Sequence, residues 1–140
     1  MDDRGRVKLP VAFQKYLDKF ENKRLFVTSL DRRIAQVYPI VLWKKTKNFL
    51  ENYAEDPEAA ENLAFNAADL GQETEMDAQA RVLFSTDLRR ELGLENQEVH
   101  LYDFGGHIEV LTKPVYEERK RAATLKPVAD FTKLRRAGLK

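Results

Sequence analysis

The chain has 140 residues, 43% of them hydrophobic and 34% charged, which suits one globular domain or two small units sharing a core. It contains no cysteine, so disulfides, thiolate chemistry and Cys-ligated metals are excluded, and no apolar run approaches the ~20 residues that span a membrane. The net charge of +1 hides a polarity: residues 1–50 carry 12 basic and 5 acidic side chains, residues 51–80 carry 9 acidic and none basic, and residues 81–140 carry 12 basic and 9 acidic. Basic ends around an acidic middle suggest a positive face opposed by a negative one. Met1-Asp2-Asp3-Arg4 has no apolar leader character, and a cytoplasmic location is expected.

Residues 7–9 read as a short strand stopped by Pro10, which suits the first turn of a helix. Phe13, Tyr16, Leu17 and Phe20 then recur along one helical face. Residues 25–28 and 34–38 read as a hairpin with a polar tip at Leu30-Asp31-Arg32-Arg33. Pro39 ends it, and residues 40–53 read as a helix with Ile40, Trp43, Thr46, Lys47 and Leu50 on one side. Pro57 opens a third helix lined by Ala59, Ala60, Leu63, Ala64, Ala67 and Ala68, with Gly71 expected as its cap. Residues 72–76 form a weak polar strand. Residues 81–84 form another, followed by a helix capped by Ser85 or Thr86 and ended by Gly93. Residues 97–102 and 107–111 make a second hairpin around Gly105-Gly106, and Lys113-Pro114 opens a helix to Arg121. From Ala122 on, little regular structure is expected; a basic cluster at Lys133, Arg135 and Arg136 marks this tail.

The order strand, helix, hairpin, helix therefore occurs twice, and a repeat of this kind governs the architecture. Asp2-Asp3-Arg4-Gly5-Arg6-Val7 returns 75 residues later as Asp77-Ala78-Gln79-Ala80-Arg81-Val82. At an offset near 73, Val37 aligns with Val110 and Trp43 with Tyr116. In each copy an Asp stands four residues before an Arg. Such an Asp can accept nearby backbone N–H groups and fix the guanidinium of the Arg. A guanidinium so held, beside a small residue (Gly5 or Ala80), suits forked contact with guanine or phosphate. The first copy adds Arg4 and Lys8; the second has Gln79 where the first has Arg4, a residue able to pair with adenine or bond phosphate. The expected DNA-binding residues are thus Arg4, Arg6, Lys8, Gln79 and Arg81, with Asp2, Gly5, Asp77 and Ala80 shaping the loops.

These doubled segments, with Val37-Tyr38-Pro39, Trp43 and Leu88-Arg89-x-x-x-Gly93-Leu94, resemble the MraZ family of bacterial regulators, part of the AbrB-like swapped-hairpin group. The resemblance covers residues 1–121. It implies an α+β fold of two tandem AbrB-like β-hairpin/helix units forming one pseudo-twofold β-barrel-like domain. The units would be residues 1–53 and 72–121, joined by an acidic helix over 54–71 and followed by the basic tail 122–140. It also implies a nucleoid-associated repressor of a division and cell-wall operon, binding tandem promoter repeats in double-stranded DNA as a ring-shaped homo-oligomer. Three departures stand out. The counterpart of the strand at 72–76 is absent before Asp2: either the start is misassigned or trimmed, or the first unit lacks a strand. Ala80 stands where the first copy has Gly5, which narrows the backbone freedom there. Asp3 is an extra acid that opposes DNA unless paired.

An enzyme reading finds little support. His100 and His107 are the only histidines, Ser29, Ser85 and Thr86 have no nearby base in sequence, Glu55, Glu58 and Glu61 have no accompanying His, and no Gly-rich phosphate loop occurs. No catalysis, metal, cofactor, small-molecule substrate or membrane partner is expected. The rival reading is a protein-interaction or assembly module of antitoxin-like character, which the basic tail and alanine-rich helix also fit.

Overall fold

The computed structural model describes residues 1–140 and contains seven strands and six helices. In chain order these are β1 (Arg6–Lys8), α1 (Val11–Leu17), β2 (Leu25–Thr28), β3 (Ala35–Pro39), α2 (Ile40–Asn52), α3 (Pro57–Leu70), β4 (Gln72–Thr74), β5 (Arg81–Leu83), α4 (Thr86–Leu92), β6 (Val99–Phe104), β7 (His107–Thr112), α5 (Lys113–Ala123) and α6 (Pro127–Arg136). The class is α+β. The strands form a two-stranded ribbon, β1–β5, and a five-stranded sheet in the order β4-β2-β3-β7-β6. This corrects the barrel-like expectation. β4 pairs only with β2, β6 pairs only with β7, and no ladder joins ribbon to sheet.

The pairing registers carry the internal symmetry. In the ribbon, Val7 lies opposite Val82, Arg6 opposite Leu83 and Lys8 opposite Arg81. An offset of 75 residues maps this ladder onto itself about the Val7–Val82 pair. At the centre of the larger sheet, Ala35 faces Val110, Gln36 faces Glu109 and Val37 faces Ile108, so an offset of 73 maps that ladder onto itself about Gln36–Glu109. The two halves therefore meet back to back along two antiparallel ladders. β2 is flanked by β4, whereas β6, its counterpart, has an unpaired outer edge.

One core serves both halves. Val7, Leu9, Phe13, Leu17, Leu25, Val27 and Val37 from the first pack with Val82, Phe84, Leu88, Leu94, Ile108 and Val110 from the second. Burying a side chain of this size stabilises by roughly 1.5–3 kcal/mol, so each half depends on the apolar surface of the other. A smaller cluster seats α2 and α3 on the first hairpin: Trp43 stacks on Phe26 at 4.5 Å, and Tyr38, Ile40 and Ala67 complete it.

Local signals explain the element ends. Asp56 accepts the Ala59 N–H at 3.1 Å and Pro57 occupies the first turn of α3. Ser85 accepts the Leu88 N–H at 3.2 Å, and Gly93 closes α4 in the left-handed conformation at φ 67°. Gly71 is different. It follows α3 in an extended conformation, not a left-handed cap. A Cβ there would collide with the Phe26 ring and the Ala67 carbonyl, so close approach of helix end and strand is what requires glycine. The second correction concerns the tail. Residues 127–136 are a helix, α6, opened by Pro127, along which Val128, Phe131 and Leu134 recur at steps of three.

Candidate nucleic-acid interface

Side chains alternate across a strand, so the Val7–Val82 pair faces inward and its neighbours face outward. Val7 and Val82 are buried, Arg6 and Arg81 are half-buried, and Lys8 and Leu83 are exposed. One face of the ribbon therefore presents Arg6, Lys8, Arg81 and Leu83 together. Arg6 and Arg81 are diagonal neighbours, a separation of about 7–8 Å between strand positions. The sequence suggests two separate loops; the structure makes them one basic patch.

Both turns are built alike. One Asp2 carboxylate oxygen, Oδ1, accepts the backbone N–H of Arg4 at 3.0 Å and of Arg6 at 2.8 Å, and Oδ2 accepts Arg6 Nε at 2.8 Å. In the second turn, Asp77 Oδ1 accepts the N–H of Gln79 and of Arg81, both at 2.9 Å, and Oδ2 accepts Arg81 Nε at 2.9 Å. The backbone closes the same way in both: Asp2 N–H donates to the Arg6 carbonyl and Asp77 N–H to the Arg81 carbonyl, each at 2.9 Å. The Arg6 N–H, before the Arg6 side chain and the Arg4 N–H, holds the Asp2 carboxyl below its ordinary value. The Arg81 N–H, followed by the Gln79 N–H and the Arg81 side chain, does so for Asp77. In each pair only Nε of the arginine is engaged within the chain; the two terminal nitrogens form no hydrogen bond in it. Each guanidinium is thus oriented at its stem and open at its fork.

The turns are also cross-tied. The Leu9 N–H donates to the Ala80 carbonyl and the Phe84 N–H to the Gly5 carbonyl, both at 2.9 Å. Each loop is anchored on the strand end of the other half. The small residues sit where these ties demand a left-handed backbone: Gly5 has φ 79° and Ala80 has φ 61°. Arg4 and Gln79 occupy exposed turn positions beside the ribbon. Asp3 is exposed and forms no ion pair within the chain, so the extra acid stays uncompensated.

Two participants escape the sequence reading. Leu83 joins the outer face because β1 pairs with β5 and not with a neighbour in sequence. Arg89 lies against Gly5, where an added Cβ would meet its guanidinium. Its Nη2 donates to Thr86 Oγ1 at 3.0 Å, and its buried Nε has no hydrogen-bond partner, with Glu95 Oε1 3.8 Å away. The repeat offers one clue: an offset of 75 places Arg89 at the position of Gln14, which instead donates to the Leu9 carbonyl at 2.8 Å. His100 stacks on Tyr116 at 3.8 Å, and His107 Nε2 lies 3.1 Å from Glu109 while the ring stacks on Tyr38. Both histidines are packing groups. No helix is long and apolar enough to cross a membrane.

No family model matches the chain. Among curated relatives, a transcriptional regulator MraZ of Acidobacterium capsulatum is 29% identical over 118 residues, covering 84% of this chain and 80% of the relative. That of Koribacter versatilis is 33% identical over 90 residues, 64% of this chain and 61% of the relative. That of an Acidovorax species is 29% identical over 133 residues, 95% of this chain and 91% of the relative. These similarities, which extend over most of the chain, support its placement in the MraZ family.

Proposed function

We propose that this chain is a sequence-specific, double-stranded-DNA-binding transcriptional regulator whose contact surface is the outer face of the β1–β5 ribbon. One observation carries the reading. Three cations, Arg6, Lys8 and Arg81, share one small face, with Lys8 and Arg81 directly opposite each other. Like charges so placed destabilise a sheet, and each arginine fork is left open while an aspartate fixes its stem. The clustered charge costs stability, and the open forks suit forked contact with guanine or phosphate. Ribbons of two strands fit the major groove. The names of the relatives, transcriptional regulators, support the same class.

In this reading the two halves are tandem AbrB-like units, and Arg4 and Gln79 contact the DNA backbone beside the ribbon. A ring of copies presents one ribbon per subunit to tandem promoter repeats. The regulated target is the chain's own division and cell-wall operon, which it represses. A ribbon of so few contacts binds weakly alone, and repetition around a ring multiplies its effect.

The test is a salt titration of binding to upstream DNA. The parent shows a steep fall of log affinity with log salt. A variant with both Arg6→Ala and Arg81→Ala loses at least tenfold in affinity, and its slope drops by about one per phosphate contact removed. Unchanged affinity and slope in that variant would sink the ribbon as the contact surface.

A further inference from the structure

The first turn pivots on Gly5 and the second on Ala80, and the two pivots are confined differently. Both stand in the left-handed region, at φ 79° and 61°, and both are buried. Ala80 is confined by its own methyl group. Gly5 has no Cβ, and a bare glycine ranges over backbone conformations that other residues avoid. Yet Arg6 hangs on Gly5. The Gly5 carbonyl accepts the Phe84 N–H at 2.9 Å, its N–H donates to the Asp2 carbonyl at 3.2 Å, and the next N–H, that of Arg6, donates to Asp2 Oδ1 at 2.8 Å. A rotation at Gly5 would swing the Arg6 side chain away from the carboxylate that orients it.

The place of the missing Cβ is filled from elsewhere. A Cβ on Gly5 would overlap Nη1 and Cζ of Arg89, so the Arg89 guanidinium lies where the methyl of an alanine would point. Arg89 comes from a fixed element. Its neighbour Leu88 is fully buried in the core, and Glu91, also on α4, accepts from Arg32 at the tip of the first hairpin at 2.7 Å. The guanidinium is a costly group to place there. The Arg89 side chain is 16% exposed, makes one hydrogen bond, from Nη2 to Thr86 Oγ1, and leaves Nε buried without a partner. Its one ion-pair partner, Glu95, stands 3.8 Å away, beyond a hydrogen bond, and Asp2 and Asp3 line the same small hollow without bonding it. A buried polar group left unpaired destabilises a fold. Folding alone therefore gives no account of an arginine here.

The second turn is the natural comparison. An offset of 75 matches Arg89 with Gln14 and Gly5 with Ala80. Gln14 turns to its own half and donates to the Leu9 carbonyl at 2.8 Å, and the second pivot carries its own Cβ. The covering side chain and the missing methyl thus occur together in one turn, and neither occurs in the other. We propose that Arg89 is a positioning residue for the first turn: its guanidinium stands in for the Cβ that Gly5 lacks and holds Arg6 with its fork open to DNA. The consequence for binding rests on the ribbon reading; the confinement itself does not. A helix of the second half thereby governs the contact residue of the first.

Three variants test it, on the full chain and well below its unfolding temperature. Arg89→Gln lowers affinity for upstream DNA about tenfold, a part of what a forked arginine contact is worth. In an Arg6→Ala background the same substitution changes affinity by less than about twofold, because its effect runs through Arg6. Gly5→Ala with Arg89→Gln copies the Ala80–Gln14 pair into the first turn and returns affinity to within about threefold of the parent. That variant also lacks the Arg89 charge, so its recovery separates confinement from simple loss of a cation. The NMR signal of Arg6 Nε–H gives a readout that needs no DNA. Arg89→Gln shifts it and speeds its exchange with water, the Arg81 signal stays, and the paired variant restores both position and rate. A loss in the Arg6→Ala background equal to that in the parent, an Arg6 Nε–H signal unmoved by Arg89→Gln, or no recovery in the paired variant overturns the positioning role. If the Arg6→Ala, Arg81→Ala variant binds DNA like the parent, the ribbon reading falls and the NMR outcome still decides this one.

Discussion

The two turns of the ribbon share one hydrogen-bond plan and differ in what they pay for it. In the first, glycine meets the left-handed requirement at φ 79° without strain, but the turn is overlain by Arg89 and carries the unpaired Asp3. In the second, Ala80 holds φ 61° with a side chain that disfavours it, in a buried position. The first turn also has Arg4 and Lys8 where the second has Gln79 and Leu83. The difference teaches that the Asp carboxylate and its three hydrogen bonds define the motif. Glycine and the surplus charge are adjustable. The first turn is the more basic, and the second is the more neutral and the more strained.

The sharpest way to break this comparison is to remove each arginine alone. A forked contact to a base is worth about 1–3 kcal/mol, so Arg6→Ala and Arg81→Ala each lower affinity for upstream DNA by roughly five- to 150-fold. If the ribbon acts as one patch, the two losses agree within about threefold in a binding titration. A loss confined to Arg6→Ala would mean that only the basic turn touches DNA.

Next in size is Gly5→Ala. It places a side chain in a left-handed position and against the Arg89 guanidinium, for a cost of about 1–3 kcal/mol, read as a lowered denaturation midpoint. Pairing it with Arg89→Ala recovers the steric part only. The reciprocal change, Ala80→Gly, relieves strain of roughly 1 kcal/mol, less the added freedom of the unfolded chain. The two substitutions thus move stability in opposite directions. A fall in stability for Ala80→Gly would show that Ala80 packing outweighs its backbone strain.

The smallest effect is the acid response, where the two turns should agree. Asp2 and Asp77 are both held below the ordinary carboxylate value, chiefly by backbone N–H groups of Arg6 and Arg81. A lowered folded value means that the contribution is fully present above the ordinary value of about 3.9 and is lost as pH falls through the lowered one. The amide resonances of Arg6 and Arg81 should therefore titrate together, with midpoints below about 3.9, and stay constant from pH 5 to 8. A midpoint at or above that value in either turn would remove its aspartate from this role.

Much of this was legible from local chemistry. Alternation located both hairpins, prolines and caps located the helices, and the Asp-x-x-x-Arg spacing foretold a turn in which Asp binds N–H groups and guanidinium alike. What the sequence hid was non-local. Nothing in Arg6-Val7-Lys8 says that its partner is Arg81-Val82-Leu83 rather than a nearer strand, so the fusion of two loops into one face could not be read. Arg89 over Gly5 was hidden for the same reason. Gly71 was misread because a helix-ending glycine usually signals a left-handed cap, while here the demand comes from the Phe26 ring across the sheet. α6 was missed because a stripe of three apolar residues at steps of three, with none of them buried, is a short and weak signal.

The self-mapping ladder at Val7–Val82 has a consequence in time. β1 has no strand partner except β5, 75 residues further along, and contacts that distant in sequence close late and slowly. During synthesis the first arginine emerges long before its ribbon exists. Only after Phe84 has been added can both cross-ties to Gly5 and Ala80 form. The ribbon face therefore exists only in a chain already completed through its second turn, and a product terminated before Phe84 lacks it.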